Sequence, residues 1–184
     1  MYSWALITGD TADSVDARAL RRALAAFPTG VCLVTTTTAA GKREGMTINS
    51  FASVSLEPPL VLWSIRDDAR SADAFIAARA FNLSVLSADQ HELALHFARP
   101  APDKFAAFDD VFDSAPNRCP RLRHAAATFE CSVYSRHKEG DHTVLLGRVE
   151  GFTHTGQPPL LLHSGQMGSL WELASTLARP ALHP

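Results

Sequence analysis

Cysteine is scarce. Cys32, Cys119 and Cys131 are the three in the chain, an odd number with no CxxC pair. That argues against a disulfide framework and suits a reducing, cytoplasmic setting. Charge of one sign is missing too: 17 Lys and Arg face 19 Asp and Glu, for a net charge of −2. No basic field exists to hold nucleic-acid phosphates. No apolar run approaches a membrane span. The opening residues, MYSWALITGD, lack a basic segment followed by a long apolar stretch, so no signal peptide is expected. The glycine patterns GxGxxG and GxxxxGK[ST] are absent, as is the GxSxG elbow. His91 and His96 are five apart and fall on different helix faces, unlike an i, i+4 ligand pair. No metal site is expected.

What is present is an ordinary globular composition, 46% apolar over 184 residues, enough for one domain with a real core. Residues 1–15 read as a small, polar lead-in and residues 16–184 as one domain. Asp16 is placed to cap a helix, ARALRRALAAF, with Leu20, Leu24 and Phe27 on one face. VCLVTTTT (31–38) is β-branched and strand-like. LVLWSI (60–65) is a continuous apolar run, expected of a strand buried on both faces. Ser71 opens a helix with Phe75 and Ile76 inward. FNLSVL (81–86) and ATFECSVY (127–134) alternate as strands do, and HTVLLGRVEGF (142–152) is the last long strand, with a short one at PLLLH (159–163). SADQ (87–90) and SLWE (169–172) have capping-box spacing. Residues 99–126 read as an excursion with little regular structure. This pattern lacks regular strand–helix alternation, so a mainly β, antiparallel, closed or nearly closed barrel with peripheral helices is expected.

Three segments depart from simple core building. FPTGV (27–31) stops a helix and enters a strand with a hydroxyl and a glycine; alone it reads equally as a plain helix terminus. GMTINSFASVSLEPP (45–59) alternates like a half-buried strand, but Ser50 and Phe51 swap parity. A bulge there is expected to re-aim one side chain, and Thr47, Asn49 and Ser50 offer donors and acceptors suited to a flat heterocycle with imide edges. EGDHTVLLG (139–147) sets His142 at the mouth of a strand, where a histidine can donate to a ligand or simply face solvent.

The string ALRRALAAFPTGVCLVTT…GMTINSFASVSLEPPLVLWSI…FNLSVLSADQHELALHFA…DKF…FECSVY…GDHTVLLGRVEGF…PLLLHSGQMG, from about Ala19 to about Gly168, resembles the flavin reductase-like family. The elements FPTGV, MT-x-NSF-x-SVS-x-x-PPLV and GDH occur in the family's order and spacing. The resemblance implies an FMN-binding split β-barrel, usually homodimeric, that reduces FMN or FAD with NADH or NADPH. Many members supply reduced flavin to a separate monooxygenase. It implies that Pro28, Thr29, Gly30, Thr47, Ile48, Asn49 and Ser50 hold the isoalloxazine edge. Ser64, Ile65, Arg70 and Ser71 would wrap the ribityl phosphate; a cation and a hydroxyl at a helix start suit an anion. Phe97 and Lys104 match a segment near the flavin, and His142 the histidine on the nicotinamide side.

Two positions depart from the family. Ala69 stands where many members carry Ser, and Gln166-Met167 where many carry Arg and Tyr. Two other readings stay open from sequence: a flavoprotein that reduces a bound metal complex or corrinoid, and a non-enzymatic flavin- or haem-binding barrel.

Overall fold

The computed structural model describes residues 16–172. The expected lead-in and the chain after Glu172 lie outside the described residues. In chain order the elements are α1 (Ala17–Leu24), β1 (Thr29–Gly30), β2 (Cys32–Thr37), β3 (Arg43–Ile48), β4 (Ala52–Leu56), β5 (Pro59–Arg66), α2 (Ala72–Ala77), β6 (Ala80–Val85) and α3 (His91–Ala98). There follow β7 (Phe112–Ser114), β8 (Pro120–Leu122), β9 (Ala127–Glu139), β10 (His142–His154), β11 (Leu161–His163) and β12 (Gln166–Gly168).

Seven of the described strands form one antiparallel sheet in the order β3-β2-β6-β9-β10-β5-β4. Its two edges, β3 and β4, are neighbours in sequence. The sheet therefore curls until consecutive strands face each other across an unpaired seam. A second sheet, β1-β11-β12, and a β7–β8 ribbon lie beside it.

Alternation along β2 separates two cores. Cys32 and Val34 point into the barrel with Ile48, Trp63, Phe75, Phe81 and Leu145. Val31 and Leu33 point outward beneath α3, with Phe97, Phe105, Phe112, Leu122 and Leu160. The rings of Phe97, Phe105 and Phe112 meet edge to face, with centroids 5.0–5.8 Å apart, an arrangement that adds to area burial. The excursion at 99–126 is thus largely irregular, as expected, yet firmly anchored. Asn82 Nδ2 donates to the carbonyls of Cys119 and Pro120, each at 3.1 Å, and fastens β8 to the barrel.

Local signals act as read. The Asp16 carboxylate accepts from Arg18 N–H at 2.9 Å. Ser87 and Gln90 form a reciprocal capping box ahead of α3. Ser169 and Glu172 do the same at the next helical turn. Gly140, at φ 61°, turns the β9–β10 hairpin, whose register opens on His142 opposite Glu139.

Two expectations need correction. The stretch 45–59 is not one bulged strand. It is β3 and β4 on opposite sheet edges, joined by Asn49–Phe51, where the chain crosses the seam. Parity changes there because the strand ends and another begins, and Phe51 turns toward the barrel core, 5.6 Å from Phe129. The second concerns the helix expected over ARALRRALAAF, which ends at Leu24; Leu20, Leu24 and Phe27 are 47%, 65% and 75% exposed.

The barrel closes tightly at Gly147. A Cβ there would lie 2.4 Å from Phe81 Cζ and 3.0 Å from Cys131 Cβ, whereas one at Gly151 meets nothing within 4 Å. Gly147→Ala is therefore expected to lower unfolding stability by about 1–3 kcal/mol, the usual cost of overpacking, while Gly151→Ala changes it far less; denaturant titration of both checks this. All three thiols are free and buried. Burial pushes Cys32 and Cys131 up to about 12 and raises Cys119. Since the thiolate is the reactive form, an aromatic disulfide reagent at neutral pH should modify none of them in the native protein and all of them in denaturant.

Candidate functional site

Beside the seam, one side chain caps the edge of β5 that β4 leaves free. Ala52 pairs with Leu62, and continuing that register by two residues puts Ser50 opposite Ser64. There the Ser50 hydroxyl does the work of a strand backbone. Its Oγ accepts from Ser64 N–H at 3.0 Å and donates to Ser64 C=O at 3.1 Å. A neighbouring contact fixes β3 to α3: Thr47 Oγ1 donates to Ala94 C=O at 2.7 Å. Ile48 and Ile65 are core residues, 7% and 1% exposed. The hydroxyls of Thr47 and Ser50 are thus engaged within the protein, and what this wall offers a ligand beside them is Asn49.

Asn49 is exposed and lines a cleft of about 290 Å³ with Thr29, Leu162, Ser164, Arg21 and Leu24. Thr29 sits there because β1 pairs with β11, Thr29 opposite Leu162 and Gly30 opposite Leu161. The Thr29 hydroxyl is buried and has no hydrogen-bond partner. Such an orphan costs about 1–3 kcal/mol unless something enters to pair with it. Beside it Pro28 and Gly30 are exposed, and a Cβ on Gly30 would meet nothing within 4 Å. The face over the turn is open.

A second cleft, about 440 Å³, lies where β3 meets the loop before α2 and the start of the excursion. Met46, Asp68, Ala69, Arg70, Ser71, Pro100, Pro102 and Lys104 line it, with Lys42 and Glu44 at one side. Arg70 is exposed and its guanidinium makes no hydrogen bond or ion pair among the described residues. The Ser71 hydroxyl makes no cap bond to α2. Both groups are free for an anion. Lys104 Nζ donates to Phe97 C=O at 2.8 Å and Gly45 C=O at 3.1 Å, closing the cleft against α3. Desolvation lowers its pKa, with Glu44 opposing. Glu44, Asp68 and the two prolines were not singled out from sequence; the ARPAPDK spacing, which ends α3, is the signal that could have found the prolines, and none pointed to Glu44 or Asp68.

His142 lines neither cleft. Its Nδ1 lies 2.7 Å from Asp141 Oδ1, a contact that holds the exposed Asp141 carboxyl below its ordinary range. It is opposite Arg66 in register, and Asp67 N–H donates to Asp141 C=O at 3.1 Å. The hairpin end is therefore fastened to the loop carrying Arg70 and Ser71. Phe97 is fully buried and packs in the outer core. Among the described residues, no group of three or more His, Cys, Asp or Glu side chains is placed to hold a metal ion.

The donor set fits a flavin: an orphaned hydroxyl and a free amide at one end, and an unpaired cation and hydroxyl at the other. Lys104 gives a pH signature for this wall. Its folded pKa lies below the free value of 10.5. In that window the unfolded chain holds a proton that the folded chain has released, so the stability due to Lys104 rises with pH. Thermal melts of the parent and Lys104→Gln between about pH 8 and about pH 10 should show the difference moving in the parent's favour as pH rises.

The model of the flavin reductase like domain matches residues 24–170. The chain is 45% identical over 145 residues to the stachydrine N-demethylase reductase subunit Stc3 of Rhizobium meliloti (strain 1021), covering 79% of this chain and 62% of that protein. It spans 46% of a second protein of that strain, so the match covers about half to three fifths of the length of these relatives. It is 43% identical over 154 residues to the FMN reductase (NADH) SmoA of Agrobacterium fabrum, covering 83% of this chain and 86% of SmoA. Among solved structures, the Streptomyces globisporus NADH:FAD oxidoreductase SgcE6, in complex with NAD and FAD fragments, superposes with a TM-score of 0.79 at 34% identity, over 95% of this chain and all of that one. The antiparallel barrel expected from the sequence is the architecture these structures share, and the chain belongs to the flavin reductase like domain family.

Proposed function

We propose that this chain is an NAD(P)H-dependent flavin reductase. It uses NADH or NADPH to reduce FMN or FAD and passes the reduced flavin to a separate flavin-dependent monooxygenase. The observation that carries this reading is the Thr29 hydroxyl, buried without a partner beside Asn49 in an open cleft. A polar ring edge entering that cleft supplies the missing partner. The names of the relatives support both flavins and NADH.

When bound, flavin supplies reversible two-electron chemistry with a nicotinamide. The chain's own groups bind and orient. Thr29 and Asn49 pair with the polar ring edge, and Pro28 and Gly30 leave room above it. Ser50, Ser64 and Ile65 keep the wall behind them rigid, as do Thr47 and Ile48. Arg70 and Ser71 take the phosphate, for which a guanidinium gives charge-assisted hydrogen bonds. Lys104 holds the far wall, with Phe97 packed behind it. His142 docks the nicotinamide from the hairpin end. None of these roles needs a side-chain acid or base.

Residues 16–184 act as one domain in a homodimer, a reading supported by exposed apolar side chains. Val54, Leu56, Tyr134 and Phe152 on the sheet, Leu20 and Leu24 on α1, and Phe27 just after it are exposed apolar side chains that a second copy could cover. Three buried, reduced thiols support a cytoplasmic setting.

The test is NADH oxidation in air, titrated with FMN, FAD and riboflavin. Steady turnover without a second protein is expected; bound yellow flavin without turnover would contradict the enzyme reading, and turnover only with an added metal complex would redirect it. Thr29→Val separates binding from folding. It should weaken flavin binding by about tenfold, the worth of one buried hydrogen bond, while unfolding stability without flavin stays equal or rises. His142→Ala should raise the nicotinamide KM more than it weakens flavin binding, as steady-state kinetics and flavin titration together will read.

A further inference from the structure

A third cleft, about 570 Å³, shares no lining residue with the two clefts above. It opens between the C-terminal end of α2, the β2–β3 turn and the 115–119 turn. Its floor is short and apolar, built by Ala74, Ala77, Ala78 and Ala80. Arg79 and Arg118 stand on its walls. Both are exposed, and neither guanidinium makes a hydrogen bond or ion pair with any described residue. No Asp or Glu lines the cleft.

Arg43, Arg66, Arg121 and Arg123 are each paired with a carboxylate, whereas Arg79 and Arg118 share one cleft that no carboxylate lines. Two unpaired cations in one acid-free cleft repel each other, and an anion between them relieves the repulsion. Arg118 is also held in a backbone conformation that arginine rarely adopts, φ 64°. Its N–H donates to Ala115 C=O at 2.8 Å, and its C=O accepts from Thr37 Oγ1 at 2.9 Å. These bonds fix its backbone at the wall of the cleft.

Size and lining define the ligand class. The volume falls in the range of small-molecule sites, roughly 300–1,000 Å³. The alanine floor suits a flat apolar ring, and guanidinium groups match carboxylates in geometry as well as charge. We propose that this cleft binds a small aromatic carboxylate, its ring on the alanine floor and its carboxylate between Arg79 and Arg118. The site is separate from the flavin clefts and independent of the reductase reading.

Isothermal titration of the full-length chain with naphthoate tests this. Naphthoate should bind. Arg79→Gln and Arg118→Gln should each weaken it by about tenfold, as expected for one charge-assisted contact. Ala77→Trp, which fills the floor without altering charge, should abolish it. Neutral naphthylmethanol and inorganic sulfate should each bind at least about tenfold more weakly. Flavin affinity should be unchanged in all three variants, which also reports that they fold. The proposal is overturned if naphthoate fails to bind the parent chain or binds the arginine variants as tightly. It is equally overturned if sulfate binds as well as naphthoate, or if flavin displaces it.

Discussion

At the seam of the barrel, a serine hydroxyl caps the free edge of β5. β3 and β4 are consecutive, yet they occupy opposite edges of the sheet, and past Ala52 no strand remains to satisfy the free edge of β5. Ser50 fills that gap, accepting from and donating to the backbone of Ser64. The two bonds together are worth about 1–3 kcal/mol, a modest sum, but their position matters more than their size. Asn49 leaves the seam on one side toward Thr29. Ser64 leads on the other side through β5 to the loop carrying Arg70 and Ser71. The contact thus lies on the chain path between the two groups of free polar side chains.

The elements around the seam reinforce it. Thr47 ties β3 to α3, Lys104 ties both to the excursion, and Asp67 ties the hairpin end bearing His142 to the loop before α2. Each bond uses a side chain or amide that a simple strand face would leave in water. The cleft residues left without partners, Thr29, Asn49, Arg70 and Ser71, are those whose chemistry suits a polar ring and a phosphate. The proposed binding site rests on this separation between engaged and free polar groups.

Much of this was legible in the sequence. Strong alternation and β-branched runs marked β2, β6, β9 and β10, and capping boxes marked the start of α3 and of the last helical turn. The motifs around Thr29, Asn49 and Arg70 pointed to residues that the fold does bring to its clefts. Other features were hidden for physical reasons. Period-two alternation continues across a strand break as easily as along a strand, so the crossing at Asn49–Phe51 looked like a bulge. Hydrogen-bonding capacity does not reveal the partner, so Thr47 and Ser50 looked like ligand contacts although their hydroxyls hold the protein together. Phe97 shares a motif with Lys104 but lies at the centre of a core. The apolar residues that share one face of α1 are left exposed among the described residues.

The most direct test of the seam is amide hydrogen exchange at Ser64, read by NMR in the parent chain and in Ser50→Ala. If the Ser50 hydroxyl caps the free edge of β5, the Ser64 amide is protected in the parent and exchanges much faster in the variant, together with residues 49–51, while amides shared by β5 and β10 keep their protection. Equal protection of Ser64 in both proteins would mean that the edge is satisfied some other way, and the account of how the seam is capped between the two groups of free polar side chains would fail.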